Sequence, residues 1–237
     1  QMCIRDRTCR INKANLATSK TKDKFTSAMN TINLTRINQL KDEATDFFMH
    51  KGQKVLAYLN KGEIASVPFN EEDFKVMAMG RLSPEKGFDI LIEGFADAVK
   101  ENPNAKLYIL GDGPLRGQLE KLIAKLDLEA HVFLVGQKRN PFNIMNQCDL
   151  FALTSHYEGQ SMVLLEALTI GVHTLASNIP ANRYVLRYGD FGMLTENTPT
   201  AVGESIKSFM NGQIPPYETF KGQKHNEIAL QELYDLL

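Results

Sequence analysis

From residue 74 onward, short apolar runs alternate with longer stretches of helical period. The runs are residues 76–79, 107–110, 132–135, 150–153 and 174–176, most of them bounded by glycine or polar residues. Between them lie residues 88–101, 115–126, 142–147 and 162–170, where apolar positions recur at helical spacing. Strands alternating with helices predict βαβ units and a parallel sheet. Runs that are apolar on both faces fit strands covered by helices on each side. The expected fold is therefore α/β, a parallel sheet with helices on both faces. Residues 200–210 and 225–237 read as terminal helices.

Upstream the patterning is weaker. Residues 32–48 predict a helix, with Leu34, Ile37, Leu40, Phe47 and Phe48 as its apolar positions. Residues 55–59 and 64–67 are short strand-like runs, and residues 68–72, Pro-Phe-Asn-Glu-Glu, read as a polar linker. Residues 2–7, Met-Cys-Ile-Arg-Asp-Arg, resemble a translated sequencing adapter, so residues 1–7 are set aside. The alternative is a genuine short N-terminus. If the adapter reading holds, the reading frame begins within a longer gene. The expected organisation is 1–7 as scar, 8–70 as the remnant of a preceding domain with its linker, 71–213 as the α/β domain, and 214–237 as a helical tail.

Composition changes this picture little. With 43% hydrophobic and 23% charged residues, the 237-residue chain is that of an ordinary globular protein. No apolar run approaches the ~20 residues a membrane helix needs. Cys3, Cys9 and Cys148 show no metal-ligand spacing and read as reduced thiols of a cytoplasmic protein. Charge is unevenly spread. Residues 1–66 hold 12 Lys+Arg against 6 Asp+Glu, and the rest hold 15 against 22. A +6 segment beside a −7 domain suits a solvated leader, an anionic membrane surface or a phosphorylated acceptor.

Open parallel sheets take ligands at the carboxyl ends of their strands. The informative loops therefore follow Met79, Leu110, Val135 and Leu153. After Met79 comes Gly-Arg-Leu-Ser-Pro-Glu-Lys-Gly, residues 80–87, opening a helix. Arg81 offers a planar fork of donors, Lys86 a point charge, and the helix its free N–H groups. Together they suit a diphosphate; alone they could also be a surface turn with incidental charges. After Leu153 comes Glu158-Gly159-Gln160-Ser161, running into the apolar helix Met162-Val163-Leu164-Leu165-Glu166-Ala167-Leu168. Glu166 is the single charge of that helix. Either a ribose diol satisfies it, or an internal Lys or Arg does. Glu158 lies before a glycine taken to let the chain turn, and the N–H groups of residues 160–163 point toward the same pocket.

These motifs in order, with Gly-Asp-Gly-Pro-Leu at 111–115 and Val-Phe-Leu-Val-Gly-Gln at 132–137, resemble the family 4 retaining glycosyltransferases. Two glutamates separated by seven residues, here Glu158 and Glu166, are that family's hallmark. The resemblance spans roughly residues 76–210. It implies a B-type enzyme of two Rossmann-like domains, of which this is the C-terminal, donor-binding one. It implies a nucleotide-sugar donor, expected to be UDP-linked, and a hydroxyl acceptor: a glycan, polyol-phosphate or lipid-linked one. Position by position, it assigns Arg81 and Lys86 to the diphosphate and Glu166 to the ribose. It assigns Glu158 to the donor sugar near its reacting carbon, and Gly136, Gln137 and Lys138 to the base. The backbone of Gly159, Gln160, Ser161 and Met162 falls to sugar and phosphate. No metal cofactor is implied, and no carboxylate pair suggests one.

Asn178 and Ala181 stand where many members carry Asp and Gly, which bears on loop flexibility rather than on the donor site. Residues 30–33, 140–142, 147–149 and 225–234 resemble a Gram-positive subgroup associated with teichoic acid or other cell-wall polymers. Without an acceptor-binding domain, this chain is expected to bind donor but not to transfer sugar. Two alternatives stay open: a glycogen- or sucrose-synthase-type enzyme, and a non-catalytic partner subunit. His156 reads as a solvated loop histidine; His131, His173 and Cys148 read as packing residues, and Met77, Met79 and Met162 as core filler.

Overall fold

The computed structural model describes residues 31–43, 46–50, 52–60 and 63–234. Residues 1–30, and with them the adapter-like segment, lie outside this set. The chain divides into two compact units. The larger, Leu34–Phe220, holds every strand among the described residues. In the smaller, Ile32 donates its N–H to Asn226 Oδ1 at 2.8 Å, and Asn226 Nδ2 returns a bond to the Ile32 carbonyl at 2.9 Å. Asn226 belongs to the C-terminal helix α8 (Gly222–Tyr234).

The main sheet has six parallel strands: β4 (Phe74–Met79), β5 (Ala105–Leu110), β6 (Val132–Gly136), β7 (Leu150–Leu153), β8 (His173–Ser177) and β9 (Met193–Thr195). Their spatial order is β6-β5-β4-β7-β8-β9. This is the doubly wound order, in which the chain moves outward in one direction from β4 and then returns to β4's other side with β7. Alternate strand residues face opposite layers. Val76, Ala78, Leu107, Ile109 and Ala152 join a core with α2 (Phe88–Glu101), α3 (Arg116–Lys125) and α7 (Pro199–Met210). Three further helices, α4 (Pro141–Met145), α5 (Met162–Ile170) and α6 (Pro180–Val185), pack one against the next as a second layer. The α/β expectation with helices on both faces is met. The 88–101 and 162–170 stretches coincide with α2 and α5.

Residues 32–48 do not form one helix. α1 ends at Leu40 (Leu34–Leu40), and Phe47–His50 form strand β1. Pairing overrides periodicity here. Phe47 and Phe48 register against Leu56 and Val55 of β2 (Gln53–Asn60), which pairs in turn with β3 (Glu63–Pro68). The linker reading of residues 68–72 also changes. Phe69 is buried and continues an aromatic ladder from Phe47 through Tyr108 to Phe133, with centroids 4.8, 5.0 and 5.4 Å apart. Tyr108 Oη donates to the Pro68 carbonyl at 2.7 Å. The small antiparallel sheet is thus fastened to the face of β5 and β6 by aromatic packing and a partly buried hydrogen bond. β9 escaped the sequence reading because three residues are too few to show a period.

Candidate functional site

The strand order reverses between β4 and β7, so the loops leaving their carboxyl ends diverge. The crevice between such loops is where doubly wound sheets take ligands. Both of the richest motifs lie on it.

The loop after β4 is pinned by close backbone contacts. A Cβ on Gly111 would sit 1.9 Å from the Gly80 carbonyl oxygen, and one on Gly113 would sit 2.5 Å from that of Leu82. Leu82 N–H donates to the Asp112 carbonyl, and Leu115 N–H to the Leu82 carbonyl. Residues 84–86 then make one 3-10 turn. The Ser83 hydroxyl donates to Glu85 Oε1 at 2.6 Å. That bond, followed by Glu85's own backbone N–H, lowers the Glu85 pKa. Gly87 ends the turn and caps α2 with φ +58°, and a Cβ there would lie 2.2 Å from the Thr154 carbonyl oxygen. Glycine is required on both counts, left-handed backbone and close approach. At this contact the two loops meet: Thr154 Oγ1 donates to the Gly87 carbonyl at 2.9 Å, and His156 N–H to the Glu85 carbonyl at 2.9 Å.

The charged groups meet here too. Lys86 Nζ lies 2.6 Å from Glu158 Oε1, and the Ser155 hydroxyl donates to the same oxygen at 2.6 Å. Both side chains of the ion pair are mostly buried, so it is screened far less than a surface pair. An ammonium has three N–H donors, so Lys86 can hold Glu158 and still offer donors to an anion. Arg81 sits on the same loop and is exposed. Gly159 does not have a positive φ, and a Cβ on it would meet no protein atom within 4 Å. The turn therefore does not need glycine; a side chain there would project into open space above the loop. Gln160 and Met162 are half-buried, and Ser161 is the N-cap of α5.

Glu166 lies one turn into α5 and is half-buried. Desolvation pushes its pKa up to about 7, with the Arg36 guanidinium pulling it back down. Gly136 ends β6 in the left-handed region, its carbonyl accepting from Gly111 N–H, and Gln137 after it is exposed. The Lys138 ammonium turns instead toward the small sheet. It bonds the Ala57 carbonyl and lies 3.7 Å from Asp46 Oδ1, and burial lowers its pKa against the opposing pull of Asp46.

Sequence reasoning missed a buried polar chain beneath the second loop. Ser161 Oγ donates to Asn182 Oδ1 at 2.5 Å. Asn182 Nδ2 reaches the Ser177 carbonyl at 2.9 Å and its hydroxyl at 3.1 Å, and Ser177 Oγ donates to the Ser155 carbonyl at 2.6 Å. All four residues are buried, each at most 1% exposed. The available signal was small polar residues exactly where apolar strands β7 and β8 stop. Asn197 was missed as well; its Nδ2 donates to the Thr154 carbonyl at 3.0 Å and lies 3.3 Å from His156 Nδ1. His156 itself is exposed. Cys148 is buried with its thiol on the Ile144 carbonyl, and His173 packs on Phe209. No group of three or more His, Cys, Asp or Glu among the described residues is arranged to hold a metal ion. No helix among them is long and apolar enough to cross a membrane.

A doubly wound sheet with a cation and a carboxylate paired over its switch point is the form of a ligand-binding α/β domain. Residues 60–226 match the model of the family described as "Glycosyl transferases group 1", and the chain belongs to that family. Among relatives, it is 34% identical over 139 residues to a Campylobacter jejuni N-acetylgalactosamine-N,N'-diacetylbacillosaminyl-diphospho-undecaprenol 4-alpha-N-acetylgalactosaminyltransferase, covering 58% of this chain and 37% of that protein. It is 27% identical over 146 residues to the poly(ribitol-phosphate) alpha-N-acetylglucosaminyltransferase of Staphylococcus aureus, covering 61% and 28%. Among solved structures, Anabaena HepE in complex with UDP and glucose superposes with a TM-score of 0.55 at 26% identity, covering 69% of this chain and 43% of that one. The matched stretch thus spans about a third of the length of these curated relatives.

Proposed function

We propose that the α/β unit binds the donor of a retaining glycosyl transfer, a UDP-linked hexose or N-acetylhexosamine. The acceptor is a hydroxyl of a glycan, polyol-phosphate or lipid-linked molecule, in the synthesis of a cell-wall or surface polysaccharide. The observation that carries this reading is the Lys86–Glu158 pair at 2.6 Å, set where the β4 and β7 loops diverge and beside the N-terminus of α5. Positive charge and helix N–H groups together suit a leaving diphosphate, which accumulates negative charge, and this supports the reading. In this reading the Glu158 carboxylate beside them serves the sugar that such a diphosphate carries. The likeness to HepE, solved with UDP and glucose, and to relatives named for transfer to a diphospho-undecaprenol-linked sugar and to poly(ribitol-phosphate) supports a UDP-sugar donor and a surface-polysaccharide context.

The reaction exchanges one bond at the sugar's anomeric carbon. The carbon–oxygen bond to the diphosphate breaks, and a bond to the acceptor oxygen forms on the same face. In one route the departing phosphate oxygen takes the acceptor's proton. In the other, Glu158 first forms a glycosyl ester that the acceptor then displaces. In both, Lys86 and Arg81 offset charge on the leaving diphosphate, and Glu166 accepts from the ribose hydroxyls. No metal is required by either route. The site faces the cytoplasm or the inner face of its membrane, where nucleotide-sugars are available.

Calorimetric titration with UDP tests the reading. Lys86→Ala should weaken binding by about tenfold, the weight of one charge-assisted hydrogen bond. A wild-type chain that binds no UDP, or a Lys86→Ala chain that binds it unchanged, contradicts the assignment.

A further inference from the structure

Serine at a helix N-cap ordinarily turns its hydroxyl onto an N–H of the first turn. Ser161 caps α5 but makes no such bond. Its backbone, φ −85° and ψ 57°, is not the extended conformation that capping uses. The hydroxyl instead donates to Asn182 Oδ1 at 2.5 Å, behind the helix end. Asn182 is itself held by both oxygens of Ser177, and Ser177 by the Ser155 carbonyl. Ser155 then donates to Glu158. The two ends of the loop carrying Glu158, Ser155 and Ser161, are therefore tied to one buried amide.

We propose that Asn182 is a positioning residue of the donor site: it draws the Ser161 hydroxyl away from α5, leaving the N–H groups of Met162 and Val163 uncapped for a nucleoside diphosphate, and fixes the loop that carries Glu158. The inference rests on the donor-site reading above. Its physical basis is competition. A serine hydroxyl capping its own helix would occupy the N–H groups and place oxygen lone pairs where phosphate oxygens bind. Asn182 suits the task because its amide accepts from Ser161 with one atom and donates to Ser177 with the other.

The test is a double-mutant cycle read by UDP calorimetry, with thermal unfolding of each variant. Asn182→Ala releases the Ser161 hydroxyl, so that the Ser161 backbone can relax to the extended conformation and cap α5, and UDP affinity should fall by about five- to tenfold. Ser161→Ala/Asn182→Ala has no hydroxyl to cap with, and should recover most of that loss although it lacks more hydrogen bonds. A residue that merely holds the fold together cannot give this rescue. A double variant as weak as Asn182→Ala overturns the proposal, as does an Asn182→Ala chain that binds UDP like wild type. A wild-type chain that binds no UDP overturns the donor-site reading itself, which separates the two failures. Should Asn182→Ala fail to fold, hydrogen exchange on the wild type decides. The amides of Met162 and Val163 should exchange freely without UDP and be protected with it; protection in the free protein overturns the proposal.

Discussion

Replacing Glu166 by glutamine should stabilise the ligand-free protein while weakening its grip on UDP. Burial raises the Glu166 carboxyl from the ordinary 4.5 to about 7, even with Arg36 drawing it down. A raised acid pKa means that the folded state disfavours the charged form. The stability this group confers is complete below about pH 4.5, and it declines as pH rises through the folded value near 7. At about 1.4 kcal/mol per pH unit the shift corresponds to at most ~3.5 kcal/mol. Residual solvent contact and structure in the unfolded chain reduce this to about 1–2 kcal/mol. Glu166→Gln carries no charge to desolvate, so at pH 8 it should unfold at a higher denaturant concentration than wild type. The advantage should shrink steadily from pH 7 to pH 4.5 and then vanish. UDP affinity should move the other way, because an ionised carboxylate accepts from two ribose hydroxyls better than an amide does. Denaturant melts across this pH range, with UDP calorimetry at pH 8, read both effects. A glutamine variant less stable at pH 8 would mean that Arg36 over-compensates the burial. Glu166 would then be a structural ion pair, and the ribose assignment would lose its physical motive.

Three further outcomes follow from the same geometry. Glu158→Ala should leave UDP affinity within about threefold of wild type, since Lys86 is retained, while lowering release or transfer of the sugar from a UDP-sugar by about a hundredfold or more in an enzyme that turns over. Gly87→Ala sets a methyl 2.2 Å from the Thr154 carbonyl oxygen at φ +58° and should cost about 2 kcal/mol or more in chemical denaturation, with loss of UDP binding. Tyr108→Phe removes the 2.7 Å bond to the Pro68 carbonyl and should cost about 1–2 kcal/mol without changing UDP affinity, because it lies between the small sheet and the main one.

The α/β unit was legible because its strands are buried on both faces and its helices on one, so each leaves its own period in the sequence. Leu150–Leu153 and Phe88–Glu101 needed nothing beyond their own residues to be delimited. The site was legible as far as it is built from charge and glycine: Lys86, Glu158 and Gly87 are conspicuous in a loop after an apolar run. What stayed hidden depends on long-range pairing. Phe47 fits a helix by spacing and becomes a strand residue only because Leu56 and Phe69 receive it. Ser155, Ser177 and Asn182 are ordinary loop residues until the fold stacks three chain segments, and only burial reveals them as one hydrogen-bonded chain. Lys138 looked like any basic residue at a strand end; its turn toward Ala57 depends on where the small sheet lies.

The most direct test of the central claim is a hydrogen-exchange map of this chain with and without UDP. UDP should slow exchange in two separate stretches, residues 80–88 and 158–166, which meet only across the crevice between β4 and β7. Protection at the opposite edge of the sheet, around residues 103–105 and 130–131, or no protection at saturating UDP, would contradict the account.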